Sequence, residues 1–342
     1  MRIILFIISE IYGTIIFFRN LLFDYGILKS TSYKTPIICV GNLSIGGTGK
    51  TPHIMLIAKL LSNRYKVGIL SRGYGRKSSG FSYVELDSSA SKIGDEPLQI
   101  KLNNPQCIVA VEKNRRKGIQ KILIDHPDTN LILLDDGFQH RKIRAGLNIL
   151  LTPFYNPFTN DALLPIGTLR EHANEARRAD IIIISKSPNN LKPTENKKII
   201  ESLNLGENQQ AYFSSIIYYK YKCIKDDTVL KNEEDYNITL VSGIENATPL
   251  IKYLEKKKRQ VNLVRFADHH NYTAKDVKKI LSIHNKDKST KKLILTTEKD
   301  ATKLKAFMSD FKEEKIYYIP IEVTINGKEK FEKQILEYVR NS

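Results

Sequence analysis

Cysteine is scarce in this chain of 342 residues, occurring only at Cys39, Cys107 and Cys223. The three are scattered without metal-ligand spacing, and at least two lie in apolar strand-like runs. That excludes a disulfide framework and a zinc site and implies a reducing compartment. No repeat of solenoid period and no long low-complexity linker occurs, which excludes repeat arrays. Acidic residues are in deficit, 37 Asp and Glu against 54 Lys and Arg, for a formal net charge of +17. Such an excess has two readings. One is attraction to nucleic acid, an acidic membrane surface or a phosphorylated substrate. The other is a lysine-rich composition carried on solvated faces, as at Lys256-Lys257-Lys258-Arg259. A hydrophobic fraction of 41% with 27% charged residues excludes disorder, and the length suffices for two domains.

What is present is organised around Val40-Gly41-Asn42-Leu43-Ser44-Ile45-Gly46-Gly47-Thr48-Gly49-Lys50-Thr51-Pro52. The apolar, β-branched run Pro36 to Val40 reads as a buried strand, and His53 to Leu61 reads as a helix. Strand, glycine loop ending Gly-Lys-Thr and helix form the context of a phosphate-binding P-loop. The glycines let backbone N–H groups curl around phosphate oxygens, and the helix N-terminus adds partial positive charge. Residues Ser44, Ile45, Gly46, Gly47, Thr48, Gly49, Lys50 and Thr51 are thus the expected nucleotide-binding set. Lys50 would reach the β/γ-phosphates and the Thr51 hydroxyl would ligate Mg²⁺. Ser44 stands where the common pattern G-x-x-x-x-G-K-[ST] has glycine.

At the N-terminus, Ile3 to Ile8 and Ile15 to Phe18 are strongly apolar, interrupted by Ser9, Glu10, Arg19 and Asn20. A spanning helix needs about 20 largely apolar residues, and Glu10 falls inside the window. No small-residue cleavage site follows, which argues against a secretory signal. A helix lying at a membrane interface fits best. From Pro36 onward apolar strands alternate with helical segments, which predicts parallel sheets with helices on both faces. The stretch Ser214 to Ile224 mixes aliphatic, tyrosine and lysine residues, as a partly exposed β-ribbon does, and the strand–helix rhythm resumes after it. The expected organisation is an N-terminal helix over 1–34, a P-loop domain over 35–210, a ribbon linker over 211–235 and a second α/β domain over 236–342.

Three further constellations carry chemistry. Asp135-Asp136 closes an apolar strand as the acid of a Walker-B element does, placing carboxylates for Mg²⁺ near the phosphate loop. Asp95, in Gly94-Asp95-Glu96-Pro97, reads either as a turn former or as a carboxylate acting on an acceptor hydroxyl. Asp268-His269-His270 follows a strand, and a histidine there could partner a catalytic acid across a domain cleft. Gln139, His140, Arg170 and Glu171 read equally as ion-paired surface groups or as phosphate and sugar contacts. The guanine-specificity motif Asn-Lys-x-Asp is absent, Thr297-Glu298-Lys299-Asp300 being a loose echo.

With these motifs in this order, the chain resembles the tetraacyldisaccharide 4′-kinases of lipid A biosynthesis. The matching residues are Val40 to Asn42, Gly46 to Pro52, Ser71-Arg72-Gly73-Tyr74-Gly75, Gly94 to Pro97, Asp135 to His140, Leu169-Arg170-Glu171 and Asp268 to His270. They cover most of residues 36 to 270, and Ser44 fits the family's own loop variant. Arg76 and His172 stand where the family often has glycine and proline. The resemblance implies two P-loop/Rossmann-like α/β domains bridged by a β-ribbon, and transfer of the ATP γ-phosphate to the 4′-hydroxyl of a tetraacylated glucosamine disaccharide 1-phosphate. It implies ATP and Mg²⁺ as cofactors, Thr51, Asp135 and Asp136 on the metal side, Asp95 as catalytic base and His269 assisting it. Arg72, Tyr74, Gln139, His140, Arg170 and Glu171 become candidate acceptor contacts. The partners it implies are the acylated disaccharide and a membrane surface, not nucleic acid. The place it implies is the cytoplasmic face of the bacterial inner membrane, peripheral or monotopic. The rival readings are a regulatory P-loop NTPase, which would hydrolyse nucleotide without an acceptor, and a basic nucleic-acid-binding protein, for which no aromatic-rich recognition motif speaks.

Overall fold

Strands buried on both faces carry unbroken apolar runs rather than alternation, and five such runs build the centre of the larger sheet. In this computed structural model, which describes residues 2–233, 236–311 and 314–342, they are β1 (Ile37–Asn42), β2 (Val67–Ser71), β5 (Leu131–Asp135), β6 (Leu147–Pro153) and β7 (Ile181–Ser185). With β3 (Ser82–Tyr83), β4 (Ile108–Val111), β8 (Gln210–Tyr218) and a late strand, β14 (Ile321–Ile325), they form a nine-stranded sheet in the order 14-8-7-6-1-5-2-4-3. All neighbours are parallel except the two edge pairs, β3 with β4 and β14 with β8. Alternate residues of β1 serve different cores: Ile38 and Val40 join one face, Ile37 and Cys39 the other. All three cysteines are buried and free.

From β1 the chain passes over β5 to reach β2, whereas from β5 it passes over β1 to reach β6. Connections therefore diverge at the β1–β5 pair, and the crevice beyond the carboxyl ends of such a pair is where open α/β sheets take ligands. The P-loop follows β1, and Asp135-Asp136 ends β5.

The second sheet, in the order 11-10-12-13-9, comprises β9 (Lys222–Cys223), β10 (Asn237–Ser242), β11 (Val261–Arg265), β12 (Lys292–Thr297) and β13 (Ile316–Ile319). It is parallel but for β9. The fold class is thus as expected, but the boundaries are not. Residues 211–218 belong to a strand of the first sheet, and the last two positions of the expected linker, 234 and 235, lie outside the described residues. After β13 the chain returns: β14 pairs with β8, and the final helix Lys328–Arg340 packs Phe331, Ile335 and Val339 into the core of the first domain. Burying three such side chains contributes about 1.5–3 kcal/mol each. The Tyr338 hydroxyl accepts from the Ile37 amide at 3.2 Å and donates to its carbonyl at 3.1 Å. The second domain is therefore an insertion. Of the span expected as a ribbon, residues 211–218 lie in β8, and the strand antiparallel to it, β14, comes from the far end of the chain.

The helix α1 (Arg2–Asp24) has its polarity reversed relative to a core helix. Ser9, Gly13 and Asn20 face the protein, while Ile4, Phe6, Ile8, Ile11, Ile15 and Phe18 face outward and are exposed. Among the described residues it is the one helix long and apolar enough to cross a bilayer, and only 17% of its apolar window is buried. Its inner face is held by polar contacts. Ser9 donates to the Leu163 carbonyl, Tyr12 to the Arg170 carbonyl, and Arg141 to the Asn20 carbonyl. Gly13 lies against Leu163 and His172, so a larger residue there would push the helix away.

Candidate active site

The glycine loop takes the shape its residues allow. Ser44 pairs with Leu169 by a backbone bridge, Ile45 N–H donates to the Thr168 carbonyl at 2.7 Å, and Arg170 N–H donates to that of Leu43 at 2.7 Å. The backbone at 44 is tied down in an ordinary conformation, so glycine is not required there, and Ser44 does not line the cavity. Gly49, at φ 90°, makes the left-handed turn from which the helix Lys50–Leu61 starts. Pro52 sits in the first turn, where no N–H is needed.

Around the loop lies a cavity of about 510 Å³ between the two domains. Ile45 to Thr51, Arg72, Tyr74, Asp135, Asp136, Arg170 and His269 line it together with the apolar Ile216, Tyr218, Pro249, Leu250 and Ile319. An anion nest combined with apolar walls suits a nucleotide. Lys50 Nζ is 3.2 Å from Asn42 Oδ1 and 3.6 Å from Asp136 Oδ1. Arg170 grips Asp136 with both terminal nitrogens, at 3.1 and 2.9 Å. Burial alone would raise the Asp136 carboxyl, but Lys50 and Arg170 outweigh it and hold the group well below the usual carboxylate range. Asp135 is the opposite case. Burial, then Glu96 and Asp136 nearby, push it up to about 6. Ser71 donates to its Oδ2 at 2.7 Å, while Oδ1 is buried with no hydrogen-bond partner. An unsatisfied, buried, hard oxygen beside the Thr51 helix turn is what a Mg²⁺ site supplies before the ion and substrate oxygens complete it.

Asp95 is not a turn residue but the first residue of α4 (Asp95–Asn103). Gly94, at φ 98°, supplies the bend, and a side chain there would crowd the Tyr74 carbonyl. His269 reaches Asp95 from the second domain, its Nδ1 3.1 Å from both carboxylate oxygens. The His269 backbone is left-handed (φ 56°), as are those of Asp136 and Lys186. Such conformations in non-glycine residues concentrate where side chains must be aimed. Burial would raise the Asp95 carboxyl, but His269, Lys299 and Lys303 prevail and depress it strongly. Burial would lower His269, yet its hydrogen bond to Asp95 leaves it raised. Tyr74 packs its ring against that of His269, the centroids 5.0 Å apart and the planes tilted by 58°.

Glu171 does not face the cavity. It is 0% exposed and ion-paired to Arg19 of α1 and to Arg178. The expectation of an acceptor contact there is corrected: the carboxylate is consumed in pinning α1 to the body. Gln139 and His140 also lie outside the cavity lining. Gln139 donates to the Asn42 carbonyl at 2.9 Å. Burial, with Arg115, Arg72 and Arg170 around it, lowers His140 to about 4, so it is a neutral group near the acidic pair. His172 contacts the α1 backbone.

Four charged residues, Lys186, Glu245, Lys299 and Asp300, were given no role by the sequence reading. Lys186, just past β7, donates to the Gly47 carbonyl, and Glu245 of the second domain accepts from the Gly47 amide, so a carboxylate occupies the loop's anion nest. Lys299 meets His269. Lys186 follows a parallel strand's carboxyl end, the one signal that could have marked it. Asp300, in the same loose echo, is buried and accepts from Gly243 N–H, Tyr272 and Thr297.

A P-loop with a strand-end acidic pair and a carboxylate–histidine couple across the cleft define a phosphotransferase of the kinase type. The particular family follows from comparison: the chain belongs to the tetraacyldisaccharide-1-P 4′-kinases, whose family model, LpxK, matches residues 1–340. It is 42% identical to the tetraacyldisaccharide 4′-kinase of Bacteroides thetaiotaomicron, over 99% of this chain and 93% of that one. It is 41% identical to that of Flavobacterium johnsoniae, covering 100% and 98%. A crystal structure of LpxK from Aquifex aeolicus in complex with ATP superposes with a TM-score of 0.77 at 31% identity, covering 99% of both chains.

Proposed function

We propose that this kinase moves the γ-phosphate of ATP to the 4′-hydroxyl of a tetraacylated glucosamine disaccharide 1-phosphate, giving the bis-phosphorylated lipid A precursor. The observation that carries this reading is the Asp95–His269 couple joining the two domains beside a P-loop cavity. A base so placed can receive the proton of a hydroxyl nucleophile, and membership of the tetraacyldisaccharide 4′-kinase family names the hydroxyl.

The P-loop amides and Lys50 would cradle the phosphates, with Glu245 giving up its place in the nest. Thr51, Asp135 and Asp136 would hold Mg²⁺, which when bound neutralises charge on the phosphoryl group. Arg72 and Tyr74 line the same cavity and remain the candidate acceptor contacts. As the 4′-oxygen bonds to phosphorus and the bond to ADP breaks, the hydroxyl proton passes to Asp95. A carboxylate held so far down is a weak base. It suffices because phosphoryl transfer passes through a loose transition state in which the proton leaves late. Closure of the second domain excludes water and limits hydrolysis. The outward apolar face of α1 would lie in the cytoplasmic leaflet of the inner membrane, peripheral or monotopic, where the acyl chains of the acceptor reside. Charge of +17 suits an anionic surface and a phosphorylated lipid.

The test is phosphate transfer from labelled ATP to the purified disaccharide 1-phosphate in detergent. Wild type should give the bis-phosphorylated product and Asp95→Ala almost none, with ATP binding preserved. Hydrolysis of ATP at an undiminished rate without acceptor would instead favour a switch NTPase.

A further inference from the structure

The short helix α9 (Glu298–Leu304) of the second domain carries Lys299 and Lys303 one turn apart, both directed at the dyad. Lys303 Nζ lies 3.1 Å from Asp95 Oδ2. Lys299 Nζ lies 3.2 Å from each of Glu96 Oε1, Asp268 Oδ1 and His269 Nε2. An ammonium has three protons and no lone pair, so it can only donate. Its three protons have three acceptors here, and the third is the imidazole nitrogen. Nε2 must therefore present its lone pair, and the single proton of a neutral ring belongs on Nδ1, the atom facing Asp95.

We propose that Lys299 is a positioning residue that, with Asp95, holds His269 as the neutral Nδ1–H tautomer, making it a donor to Asp95 and leaving Asp95 as the sole receiver of the acceptor's proton. The inference rests on the reading of Asp95 as base given above. It decides between two roles a histidine can play there. A ring already protonated at Nδ1 cannot take a proton from Asp95, so the histidine orients the carboxylate and does not relay. The hydroxyl O–H bond breaks, the proton joins a carboxylate oxygen, and it stays there until product leaves. A second proton on the ring would set Nε2–H against the Lys299 ammonium, with the Asp268 and Glu96 carboxylates, 3.7 and 3.9 Å from Nε2, as the groups that would balance it. Lys303 and the Glu96 amide, which donates to Asp95 Oδ1 at 2.9 Å, fix the carboxylate from its other sides.

The arrangement also ties the tautomer to domain contact. Glu298 docks α9 on α4 by accepting from Gln99 at 2.8 Å and Asn103 at 3.1 Å. Asp95 and Glu96 belong to the first domain, Lys299 and His269 to the second. Only with the helices engaged is the ring held between a donor and an acceptor.

The experiment is a long-range proton–nitrogen correlation spectrum of the histidine rings in the full-length, ¹⁵N-labelled protein in detergent, with His269→Gln to assign the signal. At a pH above the ring's own titration, wild type should show His269 neutral, protonated at Nδ1 and bare at Nε2. Lys299→Met should leave the Nδ1–H that Asp95 holds but let Nε2 take a second proton at higher pH than in wild type, and lower kcat about 10-fold, part of what a positioned proton acceptor contributes, with KM for ATP little changed. Lys299→Arg, also a pure donor, should restore the wild-type ring titration and much of kcat. An Nε2–H neutral ring in wild type, or an unchanged ring titration and kcat in Lys299→Met, overturns the proposal. Should Lys299→Met not fold, the wild-type and Lys299→Arg spectra still decide it. The spectrum needs no acceptor, so a correct tautomer with an active Asp95→Ala would refute the base assignment and not the tautomer.

Discussion

Replacing Glu171 by Gln separates two roles that sequence alone could not. The carboxylate is fully buried between Arg19 and Arg178, whose side chains are 34% and 15% exposed. Removing one partner of a buried ion pair costs about 3–5 kcal/mol, because the other charge is left without compensation. Here the cost is smaller. Arg19 can turn toward solvent, and Arg178 keeps Glu175 at 2.8 Å. The glutamine amide still satisfies some donors, which leaves about 2–3 kcal/mol. For a domain of this size each kcal/mol moves the melting temperature by about 2–4 °C, so thermal unfolding should fall by about 5–10 °C. Limited proteolysis should also cut α1 free sooner. KM for ATP, measured at a temperature where the variant is folded, should not move. An unchanged melting temperature together with a raised KM for the acceptor would refute the reasoning and return Glu171 to the substrate.

Glu245→Gln should tighten ATP binding about 3- to 10-fold by calorimetry, since a charged acceptor no longer competes for the Gly47 amide, and this exposed contact is worth about 1 kcal/mol; weaker binding would show that Glu245 serves the nucleotide. His269, whose folded value is raised, contributes stability that is fully present below its unfolded value of about 6.5 and lost as pH rises through the folded one. The stability gap between wild type and His269→Gln should accordingly shrink as pH is taken from 6 to 9 in denaturant titrations, and a gap that widens would reverse the assignment. Deleting residues 2–24 should move the protein to the soluble fraction after cell disruption, whereas continued sedimentation with membranes would place the attachment elsewhere.

What could be read from sequence was what is local. Gly49-Lys50-Thr51 lies between its own strand and helix, and Asp135-Asp136 ends an unbroken apolar run, so a few neighbours suffice to place each. From the residues alone Asp95 and His269 were each one reading among others, and their pairing came from likeness to a family, because α4 and the loop after β11 are brought together by the packing of two domains. Glu171 misled because a charged residue beside Arg170 looks like a ligand until α1 is seen lying on it. Strand membership was the least legible. β14 has the composition of any edge strand, and nothing in it says that its partner is β8 rather than its neighbour β13, from which Pro320 parts it. Lys299 hid in a stretch that was compared with a base-reading motif, while its partners Asp268 and His269 lie on a distant loop of its own domain and Glu96 in the other domain.

The return of the chain to its first sheet has a mechanical consequence. Two segments, one on either side of the inserted domain, cross between the bodies next to each other, with the Tyr219 amide donating to the Pro320 carbonyl at 3.0 Å. A single tether permits swivel and twist in any direction. A pair of hydrogen-bonded tethers behaves like a strip hinge, free to bend about one axis and stiff against rotation about the others. Any swing of the inserted domain would then follow one arc, and would bring His269 over Asp95 by the geometry of the hinge instead of by search.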